Sequence, residues 1–211
     1  MGAMRLFVAL SPSAAVVQEL RTAIMALRCP EPTPRPEPTP RPEPSALRWT
    51  RPELWHLTLA FLGEVDDKSG AELTRRLARV ATRAHPLALS LGSAGRFGNR
   101  VLWTRVRGDT DALRRLAEAV RAAAGRARLP VEDRPYRPHL TLARARDDVD
   151  LRPLVTSLAE FASSPWTAEH LHLVRSQLGG GPEGTAEYVR QASWPLGRDP
   201  DGDSHSPRDP D

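Results

Sequence analysis

The sequence is poor in cysteine: Cys29 is the only one among 211 residues. A single cysteine excludes an internal disulfide and a metal site built from several cysteines. Cys29 also borders a proline-rich stretch, where we expect no ordered pocket to lower the pKa of its thiol. It is therefore not a candidate catalytic nucleophile.

Long apolar runs are also missing, and no stretch approaches the roughly 20 apolar residues of a membrane-spanning helix. Residues 5–10 are apolar, but Ser-Pro-Ser follows them at once. This run is too short for the apolar region of a signal peptide and predicts a first strand instead. We therefore expect no membrane partner and a cytoplasmic location.

Lysine is almost absent, since Lys68 is the only one, and arginine supplies the rest of the positive charge. The formal net charge is +4. Arginine is the better bidentate partner for phosphate. We attribute the preference for arginine first to a GC-rich coding bias, and the charge is compatible with an anionic substrate.

Proline is concentrated in residues 30–44, where Glu-Pro-Thr-Pro-Arg-Pro occurs twice. Alternating prolines form neither helix nor ladder hydrogen bonds, which predicts an exposed polyproline II loop. The segment fits a surface insert or a Pro-x-x-Pro ligand for an aromatic groove. We favour the insert, because long loops cost little to close. Residues 199–211, rich in Asp, Pro, Gly and Ser, are predicted to be a disordered tail.

Hydrophobic periodicity predicts an α+β fold with mostly antiparallel sheets, because helices do not alternate one-for-one with strands. The halves share an order of strand, helix and two strands, which indicates an internal duplication. Asp66 or Asp67 is expected to cap one helix, and Asp109 or Thr110 another. Predicted helices cover residues 13–27, 67–84, 110–124 and 150–161; predicted strands cover 5–10, 47–50, 55–62, 87–91, 101–106, 139–143, 166–174 and 186–192; a glycine-rich loop is predicted at 92–99.

One five-residue motif, His-Leu-Thr-Leu-Ala, occurs at residues 56–60 and again at 139–143. Alternate residues of a strand share a face and lie about 6.6–6.8 Å apart. His56, Thr58 and Ala60 are therefore expected on one face, with the leucines in the core. His139, Thr141 and Ala143 repeat the arrangement, so the two strands would present two imidazoles and two hydroxyls to one cleft.

These four side chains suit the hydrolysis of a cyclic phosphodiester. Histidine titrates near neutral pH, so one ring can take a proton from water while the other gives one to the leaving sugar oxygen. The threonine hydroxyls can donate hydrogen bonds to the non-bridging phosphate oxygens. A single His-x-Thr strand is usually structural, but two identical copies in matching halves favour catalysis. This chemistry needs neither a metal nor a cofactor.

The paired motifs resemble those of the two-histidine phosphoesterases, and within them the RNA 2′,3′-cyclic phosphodiesterases, also called 2′-5′ RNA ligases. The resemblance runs from about residue 4 to 196, as one domain, and breaks at the insert and the tail. It rests also on Met4–Leu10, Phe61–Val65, Phe97-Gly98, Val101–Trp103, Pro138, Ala143-Arg144 and Tyr188.

The resemblance implies a bilobal α+β fold with one motif on each side of a V-shaped cleft. It implies hydrolysis of a 2′,3′-cyclic phosphate at an RNA end to a 2′-phosphate, with 2′-5′ joining as the reverse reaction. His56 would be the proton donor and His139 the acceptor, although the near symmetry leaves this division open. Thr58 and Thr141 would bind the phosphate.

Further candidates lie beside the second motif. Arg144 falls on the opposite face from His139 in a straight strand, but a bend would bring it to the phosphate. Phe97 is either a base-stacking residue or a loop anchor. Tyr136 and Arg137 are weaker candidates for substrate contacts. His170 and His172 share a face, as metal ligands do, but no third ligand is evident, so a structural role is favoured.

Three functions remain open on the sequence. The first is the metal-free RNA-end phosphodiesterase, which we favour because both histidines and both threonines are present. The second is a non-catalytic module that binds RNA ends. The third is an enzyme of the same superfamily acting on a small cyclic nucleotide or a 2′-5′ linkage. We expect the chain to be a monomer.

Overall fold

The structure, a computed structural model, describes residues 3–28, 46–131, 134–177, 179 and 186–197. Cys29, the predicted insert at 30–44 and the predicted tail at 199–211 lie outside these residues. Within the described ranges, no helix is both long enough and apolar enough to cross a membrane.

The described residues form strands and helices in an order close to the predicted one. The strands are β1 Met4–Leu10, β2 Leu47–Trp49, β3 Leu57–Val65, β4 Leu87–Phe97, β5 Val101–Gly108, β6 His139–Ala145, β7 Trp166–Ala168, β8 His170–Gln177 and β9 Glu187–Pro195. The helices are α1 Ala14–Arg28, α2 Asp67–Arg83, α3 Thr110–Arg126 and α4 Arg152–Ser157, with a 3₁₀ turn at Pro52–Leu54.

The strands make two antiparallel sheets, which confirms the predicted α+β class. The first sheet has the order β3-β1-β8-β9 and the second has the order β2-β6-β5-β4-β7. Each sheet therefore contains one motif strand, β3 or β6. Leucines of both motif strands enter the core: Leu57, Leu140 and Leu142 are fully buried.

The two sheets exchange their hairpins. The chain leaves β3 in the first sheet, passes through α2 and builds β4 and β5 into the second sheet. It leaves β6 in the second sheet and, after α4 and β7, builds β8 and β9 into the first. The predicted order of strand, helix and two strands holds from β3 to β5, whereas β7 adds a third strand after α4 in the second half. Neither sheet is made by one half of the chain alone.

The helices follow their predicted apolar stripes. On α1 the buried side chains are Val16, Leu20, Ile24 and Leu27, as the periodicity predicts. Asp66 caps α2, because its carboxylate accepts a hydrogen bond from the Ser69 N–H at 2.9 Å. Asp109 is the N-cap residue of α3, but its side chain instead accepts a hydrogen bond from the N–H of Ala88 at 2.8 Å.

The predicted glycine-rich loop at 92–99 is wrong, because residues 92–97 continue β4 and only 98–100 turn. The glycines serve close packing instead. A Cβ at Gly95 would overlap the Trp103 ring, and one at Gly92 would approach the Arg107 guanidinium to 2.7 Å. Glycine in a strand often marks such a close approach. Phe97 is consequently the last residue of a strand.

Three other predicted boundaries are corrected. The predicted strand at 55–62 is shifted, because β3 begins at Leu57 and continues to Val65. The predicted strand at 166–174 is two strands in different sheets, divided at Glu169, whose carbonyl accepts the Leu196 N–H at 2.7 Å. The predicted helix at 150–161 is shorter, since α4 covers only Arg152–Ser157. The chain after α4 instead bonds to β4: the carbonyl of Phe161 accepts the Ser93 N–H, and the Ser163 N–H donates to the carbonyl of Leu91.

Replacing Gly108 with alanine is expected to lower the free energy of unfolding by about 3 kcal/mol, at the upper end of ordinary single-residue effects. Gly108 has φ +94°, and a Cβ there would overlap the carbonyl oxygen of Ala88. Gly98→Ala is the matched control, since its φ is +54° with no atom within 4 Å of the added Cβ. It should cost only the about 1–2 kcal/mol of a left-handed residue. Equal losses in urea unfolding would contradict this assignment.

Candidate active site

Each motif strand carries a β-bulge at the same point of the motif. Ala9 pairs with Thr58 and Val8 with Ala60, which leaves Leu59 as the extra residue. Trp103 pairs with Thr141 and Leu102 with Ala143, which leaves Leu142 as the extra residue. A bulge interrupts the simple alternation of faces. The matching bulges are a structural repeat that accompanies the repeat in sequence.

The bulges decide which residue follows the threonine into the cleft. Ala143, predicted on the catalytic face, is fully buried, whereas Arg144 lines the cleft. On β3 the residue at the equivalent position is Phe61, which is 49% exposed and lines the same cleft. Ala60, predicted on the same face as Thr58, lines this cleft as well. The two strands therefore differ here: β3 places both Ala60 and Phe61 at the cleft, whereas β6 places Arg144 there and not Ala143. In a straight strand Arg144 would face away from the cleft. The bulge at Leu142 supplies the bend that brings it to the cleft.

The two histidines are held by the same hydrogen bond. The Nδ1–H of His56 donates to the carbonyl oxygen of Leu54 at 2.7 Å, and that of His139 donates to the carbonyl oxygen of Arg137 at 2.6 Å. A carbonyl oxygen can only accept, so Nδ1 must carry the proton in both rings. Nε2 is then the nitrogen left for proton transfer. The 3₁₀ turn at Pro52–Leu54 presents the carbonyl that holds His56.

Aromatic rings from neighbouring strands hold each imidazole from the side. His56 lies 4.7 Å from the Phe7 ring and 5.4 Å, edge to face, from the Tyr188 ring. His139 lies 5.0 Å, edge to face, from Phe97. Phe97 in turn packs 5.2 Å from Trp103, whose ring is 6.1 Å from His139. These contacts fix the ring planes and keep both imidazoles half-buried.

Burial lowers the pKa of both histidines, because it penalises the charged ring. The pKa of His56 falls from 6.5 to about 4; its bond to Leu54 opposes this fall, and repulsion from His139 and Arg144 adds to it. The pKa of His139 is also lowered, by burial and then by Arg144, against its bond to Arg137. Both rings are therefore mainly neutral at pH 7 in the free protein. Arg144 lowers the pKa of both imidazoles, which places its charge near both rings.

A cavity of about 600 Å³ opens at the motif residues Thr58, His139 and Thr141. Phe61 and Phe97 supply aromatic faces to it. The other side of the cavity is rich in arginine. It is formed by α3, by the segment between α3 and β6, and by β6 itself. The lining residues there are Arg121, Val131, Arg134, Pro135, Tyr136, Arg137 and Arg144.

The structure brings the predicted substrate-contact residues to this cavity. Arg144, Phe97, Tyr136 and Arg137 all line it. The Tyr136 hydroxyl is buried without a hydrogen-bond partner among the described residues, and burial raises its pKa. It is therefore neutral and able to donate to a bound ligand.

Several cleft residues were not identified from sequence. The sequence could have indicated Phe61, because it lies five residues after His56. Arg144 lies at the same distance after His139 and was identified. No local sequence pattern places Phe7 or Tyr188 at the cleft, because β1 and β9 bring them to His56 from distant parts of the chain. The same is true of Arg121, which reaches the cavity from α3.

His170 and His172 do lie on one face, with their rings stacked at 6.2 Å. His172 is buried, and its Nδ1 is hydrogen-bonded to the Ser193 hydroxyl at 3.0 Å. Within the described ranges, no group of three or more His, Cys, Asp or Glu side chains is placed to hold a metal ion. His172 thus links β8 to β9 through Ser193, which fits a structural role.

Comparison with known proteins agrees with this geometry. The family model described as the 2′-5′ RNA ligase superfamily matches residues 11–180. An RNA 2′,3′-cyclic phosphodiesterase of Geobacillus stearothermophilus is 31% identical over 159 residues, which are 73% of this chain and 49% of that protein. The protein of the same name from Thermus thermophilus is 31% identical over 171 residues, 72% of this chain and 83% of that one. The chain thus spans about half the length of the Geobacillus relative and more of the Thermus one.

Solved structures show the same fold. The crystal structure of E. coli LigT in apo form superposes with a TM-score of 0.71 and 25% sequence identity, covering 94% of this chain and 100% of that one. The crystal structure of TT0787 of Thermus thermophilus gives a TM-score of 0.70 and 27% identity. With the family model covering most of the sequence, these matches establish that the chain belongs to the 2′-5′ RNA ligase superfamily.

Proposed function

We propose that the chain hydrolyses 2′,3′-cyclic phosphates at RNA ends to 2′-phosphates. The observation that carries the proposal is the pair of histidines, each with Nδ1–H bonded to a main-chain carbonyl two residues back. These bonds leave Nε2 as the free nitrogen of each ring. His139 lines the cavity and lowers the pKa of His56, which supports paired proton transfer by two neighbouring rings. Relatives at about 30% identity bear the name RNA 2′,3′-cyclic phosphodiesterase, and E. coli LigT has been crystallised with 3′-AMP, which supports a nucleotide substrate.

The proposed reaction uses one ring as base and the other as acid. Nε2 of neutral His139 takes a proton from water as the water oxygen bonds to phosphorus. The bond between phosphorus and the 3′ oxygen breaks, and Nε2 of protonated His56 gives that oxygen its proton. The product keeps the phosphate on the 2′ oxygen. With a 5′-hydroxyl in place of water, the same steps join two ends through a 2′-5′ bond. Run backwards from that product, they cleave the 2′-5′ bond and regenerate the cyclic phosphate.

The phosphate is held by groups that favour negative charge. Thr58, Thr141 and Arg144 line the same cavity, which supports a role for the two hydroxyls as donors to the non-bridging oxygens and for the guanidinium as a positive charge nearby. Such donors act where charge accumulates in the transition state. Burial, with repulsion from His139 and Arg144, keeps His56 neutral in the free protein, but a bound phosphate anion raises its pKa and supplies the protonated acid.

A substrate panel tests this function. A 2′,3′-cyclic mononucleotide, a 2′,3′-cyclic-ended oligonucleotide and a 2′-5′-linked dinucleotide are each incubated with the protein, with and without EDTA. We expect turnover of the first two, unchanged by EDTA. Binding of the oligonucleotide without turnover would overturn the enzyme in favour of an RNA-end-binding module. Turnover of the 2′-5′ linkage alone would replace the proposed substrate.

The pH dependence follows from the lowered pKa values. For kcat/KM, which reports the free protein, His139 must be neutral and His56 protonated. Since burial holds both pKa values below 6.5, with His56 at about 4, we expect a bell with its maximum below pH 6.5. For kcat, the bound phosphate raises both pKa values, so that maximum should move to higher pH. A kcat/KM maximum above pH 7 would contradict the assignment.

We further propose that residues 4–196 act as one monomeric domain in the cytoplasm. The exchange of hairpins supports a single domain, because each sheet needs strands from both halves of the chain. Sedimentation equilibrium should give a mass near the 23.2 kDa of one chain. A dimer mass at micromolar concentration would contradict the monomer.

A further inference from the structure

A second groove lies between α2 and α3, and none of the proposed catalytic residues lines it. Its volume is about 770 Å³. We call it the α2–α3 groove and define it by Arg76, Arg79, Arg83, Arg115 and Arg126. No acidic residue is among its described lining side chains. It is therefore a strongly positive surface outside the active cleft.

The arginines of this groove are mostly without counter-charge. Arg76 pairs with Glu72 at 2.6 Å. Among the described residues, Arg79, Arg83, Arg115 and Arg126 form no ion pair, and their side chains are exposed. Like charges held together repel one another, and a bound polyanion relieves that repulsion. The groove is thus suited to a ligand carrying several negative charges.

The shape of the groove fits a phosphate backbone. Its floor contains small side chains, chiefly Ala84, Ala112, Ala119, Ala122 and Ala123. The first and last arginines of the groove are seven residues apart on α2, about 10 Å along the helix axis, and eleven residues apart on α3, about 16 Å. That length accommodates several consecutive phosphates. Guanidinium groups recognise phosphate oxygens in a bidentate manner.

Helix α3 connects this groove to the active cleft. Arg121 lines the cleft, whereas Ala122, Arg115 and Arg126 line the α2–α3 groove. Consecutive residues of a helix lie about 100° apart, so α3 presents one side to each cavity. A helix with side chains is about 10–12 Å across. An RNA strand whose end is in the cleft therefore has only α3 to cross.

We propose that the α2–α3 groove binds the phosphate backbone of the RNA several nucleotides away from the reacting end. This rests on the proposed function, since the end is taken to lie in the active cleft. The groove makes the protein a better enzyme on long RNA than on mononucleotides. Its contribution is sequence-independent, because phosphate contacts position the strand and carry no base information.

The test compares two triple variants with the same charge change. The first is Arg79→Gln/Arg83→Gln/Arg115→Gln in the groove. The control is Arg5→Gln/Arg21→Gln/Arg190→Gln, at exposed positions outside both cavities. Two quantities are measured on the full chain: the Kd for a 20-nucleotide RNA with a 3′-hydroxyl end, over a range of salt, and kcat/KM on a 2′,3′-cyclic mononucleotide.

For the groove variant we expect Kd for the 20-mer to rise at least about tenfold at low salt. The slope of log Kd against log salt should fall by about 2, as three lost single-strand contacts predict. Mononucleotide turnover should be unchanged, and the control should differ little from wild type. An equal loss in the control, or no loss in the groove variant, would overturn the proposal.

Two further outcomes keep this inference separate from the proposed function. If the wild type fails to turn over the mononucleotide but the groove variant alone loses RNA binding, the function is wrong and the RNA surface stands. If a peptide of residues 199–211, which contains five aspartates, binds the wild type but not the groove variant while RNA binding is equal in both, the groove takes an acidic peptide and the proposal falls.

Discussion

Replacing His139 with alanine is expected to reduce kcat on a 2′,3′-cyclic nucleotide by about 10²–10⁴-fold, the usual contribution of one positioned acid or base. His56→Ala should cause a loss of the same order. The Nδ1–H of each ring donates to a carbonyl oxygen, so removing the ring removes the Nε2 atom proposed to carry the proton. KM should change less than kcat, because the threonines and Arg144 still hold the phosphate.

The matched control for both variants is His170→Ala. His170 is exposed on β8 and stacks on His172 rather than lining the cleft. Its turnover should equal that of the wild type. The double variant His56→Ala/His139→Ala should be little slower than the worse single variant, since residues that act as a unit are not additive. Either single variant with near-wild-type turnover would rule out the two-histidine mechanism.

Removing the charge of Arg144 is expected to have the next largest effect. Arg144→Gln should lower kcat/KM by about 10–100-fold, because a hydrogen bond to a charged group contributes about 1.5–3 kcal/mol. It should also raise the pKa of both histidines, since the guanidinium lowers them now. The maximum of the kcat/KM profile should therefore move to higher pH.

Arg144→Lys separates the two effects of the residue. It keeps the positive charge but loses the bidentate geometry of the guanidinium. The pH maximum should stay where the wild type has it, while kcat/KM falls by an intermediate amount. If Arg144→Gln left the pH maximum in place, Arg144 would not act on the histidines as the geometry indicates.

Local sequence signals were sufficient for α1, α2 and α3 and to locate the two motif strands, but not for the length of α4. The apolar stripe of α1 and the cap at Asp66 depend on residues close in sequence, and both are confirmed. The repeated motif likewise identified His56 and His139. In the structure each bonds to a carbonyl only two residues away. Periodicity reports such features well because they are decided within one element.

Features decided by distant parts of the chain were not accessible in this way. Gly92 and Gly95 were taken for a loop, because their purpose is to admit side chains of β5 that only the folded sheet brings near. The division of 166–174 between two sheets depends on β4 and β1, which lie far away in sequence. The bulges at Leu59 and Leu142 have no composition signal of their own, and they move Arg144 into the cleft.

The position of the phosphate in the product tests the proposed two-histidine hydrolysis most directly. A short RNA ending in a 2′,3′-cyclic phosphate is incubated with the protein, and the product is compared by chromatography with 2′-phosphate and 3′-phosphate standards. The two-histidine mechanism predicts a 2′-phosphate end from the wild type, and almost no product from His56→Ala or His139→Ala. A 3′-phosphate end, or a 2′-phosphate formed equally well without either histidine, would contradict it.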